Sequence, residues 1–246
     1  MRVSRWQLGV VAGLVAVSIV LYAIHFAVFR DSHHIWLWSL TSLAFLPVSA
    51  LVVTLIINRL LTLRDRRAKL QKLNMVIGAF FSEVGNPLLS LLSSWDENLP
   101  ALRRLLVITA EWTSADFLHA SKRLPQHTYN IALERVDLDA AKRLLGERRV
   151  FLLRLLENPN LLEHEAFTAL LRAVLHAGEE LEYRPQLVDL PASDRKHLAG
   201  DFRRAYALLV QQWLQYVAFI KTAYPYLFSL AIRINPFDCD ASAIVA

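Results

Sequence analysis

Histidine and glutamate side chains are concentrated in one predicted helix, where they could ligate a metal ion. Imidazole nitrogens and carboxylate oxygens are common protein ligands of zinc and iron. Helical bundles that hold two metal ions supply Glu-x-x-His pairs from more than one helix, and no such pair occurs in this sequence. The residues concerned are Glu163, His164, Glu165, His176, Glu179 and Glu180.

This His/Glu set has two interpretations. On a helix, His176 and Glu179 share a face with Glu165 and Arg172, away from the apolar stripe, so a solvated polar face accounts for them. The alternative is a membrane-bound metalloprotein or enzyme whose functional residues are His164, Glu165, His176 and Glu180. The first interpretation needs no metal, and the sequence therefore predicts no metal or other cofactor.

A second local pattern, over residues 80–88, reads FFSEVGNPL. It resembles the phosphoacceptor box of sensor histidine kinases, in which a histidine is followed by Glu and then by Asn-Pro-Leu. Ser82 stands at the phosphoacceptor position and has no imidazole nitrogen to phosphorylate. The downstream sequence has no glycine-rich ATP lid, so we interpret this match as a coincidence without kinase chemistry.

Other catalytic chemistry has no recognisable pattern in the chain. There is no Gly-x-Ser-x-Gly nucleophile elbow and no glycine-rich phosphate loop. The single cysteine, Cys239, excludes an intrachain disulfide and every multi-cysteine metal site. The sequence therefore predicts that the protein is not an enzyme.

Two long apolar runs, residues 9–29 and 35–57, precede all of these candidates. Each reaches the length of about 20 residues that a helix needs to cross a bilayer. We therefore predict a transmembrane hairpin over residues 1–58, with helices at about 7–29 and 35–57. The short connection, residues 30–34, makes the two helices antiparallel. Basic residues concentrate beyond the other end, so the positive-inside rule predicts that both termini are cytoplasmic in the inner (plasma) membrane.

The hairpin also raises a transport alternative. Neither run contains Asp, Glu, Lys or Arg, and the ionisable side chains within them are Tyr22 and His25. An ionisable residue inside a membrane is a candidate for function, so a small transporter or channel subunit built around His25 is the remaining alternative. The connection of five residues leaves no room for a re-entrant selectivity loop.

Basic side chains follow the hairpin at the start of the predicted juxtamembrane helix and linker, residues 59–94. Beside the bilayer they would contact anionic lipid at the cytoplasmic face, which gains about 1 kcal/mol per basic residue. This position also argues against nucleic acid as the partner, although the chain carries a net charge of +5. The predicted lipid-binding residues are Arg64, Arg66, Arg67 and Lys69.

An apolar stripe with alternating spacings of three and four runs along the same helix and comprises Leu70, Leu73, Ile77, Phe80 and Val84. Such a stripe is typical of a seam by which membrane-proximal helices pair, which would make the protein a homodimer. It equally suits a helix that packs against the core of its own domain. The motif Gly-Asn-Pro at 85–87 predicts the end of this helix.

Residues 95–236 read as a cytosolic helical bundle, because leucine is frequent and the whole chain has only 7 glycines. The fold class predicted is therefore all-α: a transmembrane hairpin followed by a helical bundle. Residues 127–136 read as an extended connector and 237–246 as a loose tail. Helices are predicted at about 96–112, 114–123, 137–157, 161–183, 193–224 and 226–234.

Residues 151–171 and 213–237, together with the hairpin and residues 75–84, resemble a family of uncharacterised prokaryotic two-helix integral membrane proteins. The resemblance implies an inner-membrane location and a helical cytosolic domain, and it supplies no reaction, ligand or catalytic residue. The predicted function is that of a membrane-anchored binding or scaffold module that contacts another protein at the cytoplasmic face.

Overall fold

The chain is helical almost throughout. The computed structural model describes residues 5–30, 32–133, 136–162 and 164–244, with side chains at all of them except 5–8, 10–11, 29, 32, 34, 65–71, 160 and 162. Within these ranges there is no β-strand, only an isolated antiparallel bridge between Asp96 and Ile131. The all-α prediction is confirmed. The helices are α1 (Arg5–Phe29), α2 (Ser32–Phe80), α3 (Asn86–Ser94), α4 (Leu99–Leu106), α5 (Ser114–Arg123), α6 (Leu138–Glu147), α7 (Arg149–Leu156), α8 (Pro159–Leu162), α9 (Glu165–Glu182), α10 (Ala192–Ala223) and α11 (Pro225–Arg233).

The chain forms two compact units, residues 1–66 and 67–246, and the boundary lies within α2. The first unit contains α1 and the larger part of α2, and the positive φ of 47° at Arg30 ends α1. Large apolar side chains project outwards along both helices: Leu14, Ile19, Leu40 and Leu43 are 63–68 % exposed. The first unit therefore has an apolar surface rather than an apolar core.

Among the residues that the structure describes, two helical stretches are long and apolar enough to cross a membrane. Ile35–Arg64 has a mean hydropathy of 2.4, and none of its most apolar window is buried. Lys72–Ser94 has a mean hydropathy of 1.5, and 44 % of its window is buried. The second stretch belongs to the core of the second unit. In α1, a shorter apolar stretch covers Ala12–Val28.

The core of the second unit is built on α9 and α10, which pack against each other along their length. The faces predicted to be apolar are the faces that are buried. They contribute Phe167, Leu170, Leu171, Val174 and Leu181 from α9, and Leu198, Phe202, Leu209, Trp213 and Val217 from α10. Because these side chains repeat every three or four residues, the two helices bury one continuous apolar seam.

The stripe proposed as a pairing seam lies inside this core. Leu73, Ile77, Phe80 and Val84 are all buried, and the Phe80 ring meets the Phe167 ring edge-on, with 5.2 Å between centroids. The Leu70 side chain is outside the part of the chain that the structure describes. The structure thus realises the alternative in which the helix packs on its own domain. These four side chains are not available to pair two copies, and the second half of residues 59–94 belongs to the bundle.

The expectation that α2 ends at the Gly-Asn-Pro motif is wrong. A π-helical turn, Phe81–Gly85, continues directly into α3. The N–H of Asn86 donates to the carbonyl of Phe81, five residues back, and Pro87 falls in the first turn of α3, where its missing N–H costs no hydrogen bond. A Cβ at Gly85 would collide with the Phe81 ring, so glycine lets the wide turn close.

Other helix boundaries show where local signals succeed. Thr113 precedes α5 and donates from both its backbone and its hydroxyl to the Asp116 carboxylate at 2.7 Å. Asp137 caps α6 by accepting from Ala140 N–H at 2.8 Å.

Two predicted helices differ from those in the structure. The predicted helix over 96–112 is shorter than expected, since α4 covers only Leu99–Leu106. The predicted helix over 137–157 is divided at Arg148 into α6 and α7.

Candidate functional site

Two histidine–carboxylate pairs face each other across α9 and α10. His176 and Glu180 lie one turn apart on α9, and His197 and Asp201 lie one turn apart on α10. The two helices run antiparallel, because contacts that advance along α9 move back along α10: His176 meets Asp201, and Glu180 meets His197. The cluster therefore combines two imidazoles and two carboxylates from two rigid elements.

Four histidine–carboxylate distances define this cluster, two within a helix and two between the helices. His176 Nε2 lies 3.7 Å from Asp201 Oδ2 and 3.8 Å from Glu180 Oε1. His197 Nε2 lies 3.3 Å from Asp201 Oδ2 and 3.6 Å from Glu180 Oε2. One ligand atom each from His176, Glu180 and Asp201 falls within 4.8 Å of the others, close enough to hold one ion.

Burial differs sharply among the four side chains. Asp201 is 6 % exposed and Glu180 is 24 % exposed, whereas His176 and His197 are 46 % and 54 % exposed. Asp201 Oδ1 accepts from Arg204 Nη1 at 3.2 Å, and the buried Oδ2 has no hydrogen-bond partner. Asp201 thus forms the floor of the cluster, and the two imidazoles form its rim.

Arg184 organises the acidic side of the cluster. Its Nη1 donates to Glu180 Oε2 at 2.7 Å, and its Nε and Nη2 donate to the two oxygens of Asp194 at 2.8 and 2.6 Å. These hydrogen bonds from the guanidinium lower the pKa of Glu180 and the pKa of Asp194 below their usual values. Both carboxylates are therefore ionised at neutral pH, and Glu180 is oriented by a residue outside the cluster.

The predicted His/Glu set is only partly assembled here. His176 and Glu180 belong to the cluster, whereas His164 caps α9 by accepting from Phe167 N–H at 3.1 Å. Glu165 is exposed in the first turn of α9, and Glu179 pairs with Arg149 at 3.3 Å. Glu163 lies outside the described residues. The polar-face interpretation is therefore incomplete, because two of these side chains meet a second helix.

His197 and Asp201 were not among the predicted ligands, although a signal for them exists. The sequence contains His-x-x-x-Glu at 176–180 and His-x-x-x-Asp at 197–201, each with the spacing that puts two side chains on one helix face. A search for Glu-x-x-His pairs does not detect this arrangement. A second potential ligand group, Asp238-Cys239-Asp240, consists of neighbouring residues in the C-terminal segment, and its Cys239 is exposed.

A cleft of about 320 Å³ lies beside α9, against α6 and α7. Its floor contains Leu145, Leu152 and Val174, and Gly146 and Gly178 also line it. Arg149 crosses its rim to Glu179 and Glu182, at 3.3 and 3.4 Å. The cleft thus combines an apolar floor with a charged rim, in which Arg149 is paired with Glu179 and Glu182.

The first unit contains the side chains proposed for transport and part of those proposed for lipid binding. His25 lines a cavity of about 420 Å³ between α1 and α2, together with Ser18, Tyr22 and Trp38. Arg64 is exposed, whereas the side chains of Arg66, Arg67 and Lys69 lie outside the described ones. A transport role for His25 and lipid binding by the four basic residues stay predictions.

Comparison with known proteins gives matches over both units. A family model described as "Uncharacterized protein MJ1433, C-terminal helical domain" matches residues 69–233, and one described as "MJ1433, N-terminal helical domain" matches residues 2–61. The chain is 44 % identical over 238 residues to "Uncharacterized protein MJ1433" of Methanocaldococcus jannaschii. The aligned region covers 97 % of this chain and 96 % of the relative. No solved structure gives a significant match. The boundary between the two compact units, between residues 66 and 67, falls in the short segment that separates the two matched regions.

Proposed function

The chain belongs to the MJ1433 family, which has an N-terminal and a C-terminal helical domain, and from this premise we propose that it is a membrane-anchored helical binding module. In this proposal the N-terminal unit is a two-helix anchor in the inner membrane, as in a two-helix integral membrane protein. The C-terminal unit lies on the cytoplasmic face and acts by contact with another protein. Catalysis has no part in the proposal.

The observation that carries the anchor is the exposed apolar surface of the first unit. Leucine, isoleucine, valine and phenylalanine side chains project from both helices over two long stretches, and the described residues of this unit supply nothing that covers them. Water would oppose such exposure by about 25 cal/mol for each Å² of apolar area, whereas lipid does not. The helices also satisfy their own backbone hydrogen bonds, as the bilayer requires.

Charge supports the proposed orientation. Arg2 precedes α1 and Arg5 is its first residue. Arg59, Arg64 and the three basic residues at 66, 67 and 69 follow the apolar part of α2. The other end of the hairpin carries only Arg30 as a Lys or Arg residue. This asymmetry supports cytoplasmic termini. It also supports contact between anionic lipid and a basic collar, which we define as Arg64, Arg66, Arg67 and Lys69.

Protein binding is proposed for the second unit because it is a compact helical domain without a catalytic motif. A homodimer remains one form that this binding could take, and it would need a surface other than the buried stripe from Leu73 to Val84.

Cys239 provides a native reporter of topology, because it is the single cysteine and it is exposed. We expect a membrane-impermeant maleimide to label Cys239 only after the cells are permeabilised. In a Cys239→Ser background, Ser32→Cys, at the first residue of α2, should be labelled in intact cells. Alkaline carbonate should leave the protein in the membrane pellet, and detergent should release it.

Two results would overturn the proposed anchor. One is release of the full chain by carbonate without detergent, which would show that the apolar helices are not embedded. The other is labelling of Cys239 in intact cells, which would place the C-terminal unit on the opposite face.

A further inference from the structure

We propose that His176, Glu180, His197 and Asp201 form a binding site for one divalent transition-metal ion, with zinc as the best chemical match. The proposal is independent of the membrane anchor, because all four residues belong to the C-terminal unit. It differs from the His/Glu set read from the sequence, since half of the ligands come from α10.

The donor set selects the class of ion. Two imidazole nitrogens with two carboxylate oxygens suit zinc and its first-row neighbours, whereas calcium and magnesium are bound by oxygen ligands alone. Each helix contributes one nitrogen and one oxygen ligand at a spacing of one turn, so the backbone places both on one face.

The distances are compatible with one bound ion. Zinc binds imidazole and carboxylate ligands at about 2.0–2.2 Å, which places ligand atoms at tetrahedral corners about 3.4 Å apart. His176, Glu180 and Asp201 each place one ligand atom within 4.8 Å of the other two. His197 Nε2 adds a fourth donor, 3.3 Å from Asp201 Oδ2 and 3.6 Å from Glu180 Oε2. These separations are those expected of ligand atoms that surround one ion.

Asp201 supplies an independent argument. Its Oδ2 is buried, has no hydrogen-bond partner and points at both imidazoles. A buried carboxylate oxygen without a partner is costly, and such atoms are rare in folded proteins. A bound cation would satisfy this oxygen, while Arg204 orients the other one from 3.2 Å.

The surrounding charges leave room for a cation. Glu180, Asp194 and Asp201 bring three negative charges, and Arg184 and Arg204 bring two positive ones. Arg184 divides its hydrogen bonds between Glu180 and Asp194, so Glu180 Oε1 is free of this guanidinium and faces His176. Because the imidazoles are half-exposed, an ion can reach the site from solvent. With four protein ligands, the bound ion would be structural and would hold α9 and α10 together.

The test uses the full chain in detergent after treatment with a chelator. Every variant carries Cys239→Ser, which removes the thiol of the second potential ligand group. Zinc is titrated by competition with a chromophoric chelator, and bound metal is counted by elemental analysis. Cobalt(II) is titrated in parallel, because a tetrahedral site gives it strong visible absorption. We expect one equivalent of zinc and a tetrahedral cobalt spectrum.

Asp201→Asn keeps the shape of the side chain and removes its charge, and His197→Gln changes an exposed ligand with little risk to folding. Each should weaken zinc binding by about tenfold or more, since loss of an orienting second-shell partner alone costs 10–100-fold. His119→Gln is the matched control, because His119 is an exposed histidine on α5. Circular dichroism establishes that each variant is folded.

The proposal is overturned if the parent protein binds less than one equivalent of zinc. It is also overturned if Asp201→Asn and His197→Gln, both folded, bind zinc as tightly as His119→Gln, because binding would then be an adventitious ion only.

Discussion

His127 Nε2 lies 3.3 Å from Asp96 Oδ2, and both side chains are buried. Asp96 Oδ1 accepts from the backbone N–H groups of Asn98 and Asn130, at 3.0 and 3.1 Å. One carboxylate thus joins the turn before α4 to the connector after α5. The same negative charge, added to burial, raises the pKa of Tyr129 and the pKa of Tyr206. The extended connector predicted from the sequence is therefore held by a buried polar centre.

Asp96→Asn should lower the free energy of unfolding by about 1.5–3 kcal/mol, because it weakens several hydrogen bonds to a charged, buried acceptor. Urea denaturation followed by near-UV circular dichroism measures the change. Asp189→Asn is the control: Asp189 is exposed with a φ of 56°, which asparagine adopts equally well, so its change should stay within about 0.5 kcal/mol. Equal stability of the two variants would contradict a structural role for Asp96.

Gly85→Ala should destabilise the second unit by about 1–3 kcal/mol, because the new methyl group overlaps the Phe81 ring and meets Phe80 at 3.1 Å. Gly146→Ala, in α6, meets nothing within 4 Å and should stabilise the unit by about 0.5–1 kcal/mol. Denaturation of the two variants under the same conditions gives opposite signs if the π-helical turn needs glycine. A neutral Gly85→Ala would show that the turn relaxes freely.

Arg184 should make stability depend on acidity. It lowers the folded-state pKa of Glu180 and of Asp194, so these groups contribute stability that is present above their unfolded values, near pH 4, and is lost as pH falls through the folded values. We expect the wild-type Tm to fall more steeply below about pH 4 than that of Arg184→Gln. The comparison is made with chelator present, so that metal binding does not contribute. If the Tm values of the two proteins fall equally as the pH is lowered, Arg184 is not the cause of this pH dependence.

Glutamate substitutions at Arg64, Arg66, Arg67 and Lys69 should disturb the anchor, because they remove the basic collar that favours the cytoplasmic side. Labelling of Cys239 reports the change as an increased fraction accessible in intact cells, or as reduced membrane association.

The control for the collar makes the same change of charge at four exposed basic residues of the second unit. These are Lys122, Arg143, Arg154 and Arg203. If the labelling of Cys239 changes equally in the collar variant and the control variant, or in neither, the basic collar has no special role in topology.

Much of the fold follows from local patterns in the sequence. The apolar faces of α9 and α10, and the caps Thr113 and Asp137, are set by residues within a few positions of each other. Helix periodicity and capping depend on backbone geometry, which nearby residues determine. Such features can therefore be predicted from the sequence, as can the apolar stretches Ala12–Val28 and Ile35–Arg64.

Packing between distant segments decided the rest. The stripe from Leu73 to Val84 would suit a partner chain or its own core, and the contact between Phe80 and Phe167 selects the core. The Gly-Asn-Pro motif would end most helices, yet a π-helical turn and the Phe81 ring carry the chain onward. The first outcome depends on a side chain far away in sequence, because burial rewards whichever contact fills the interior. In the second, the Phe81 ring that lies against Gly85 also stacks on Tyr216 of α10, with 5.2 Å between centroids.

The cluster of His176, Glu180, His197 and Asp201 also depends partly on local spacing and partly on the packing of distant segments. Spacing along each helix already places His176 beside Glu180 and His197 beside Asp201, since positions four apart share a face. Nothing in the spacing reveals that the two faces meet. The antiparallel register of α9 and α10 brings them together, and that register is set by the apolar seam between the helices, whose packing fixes which turn lies opposite which.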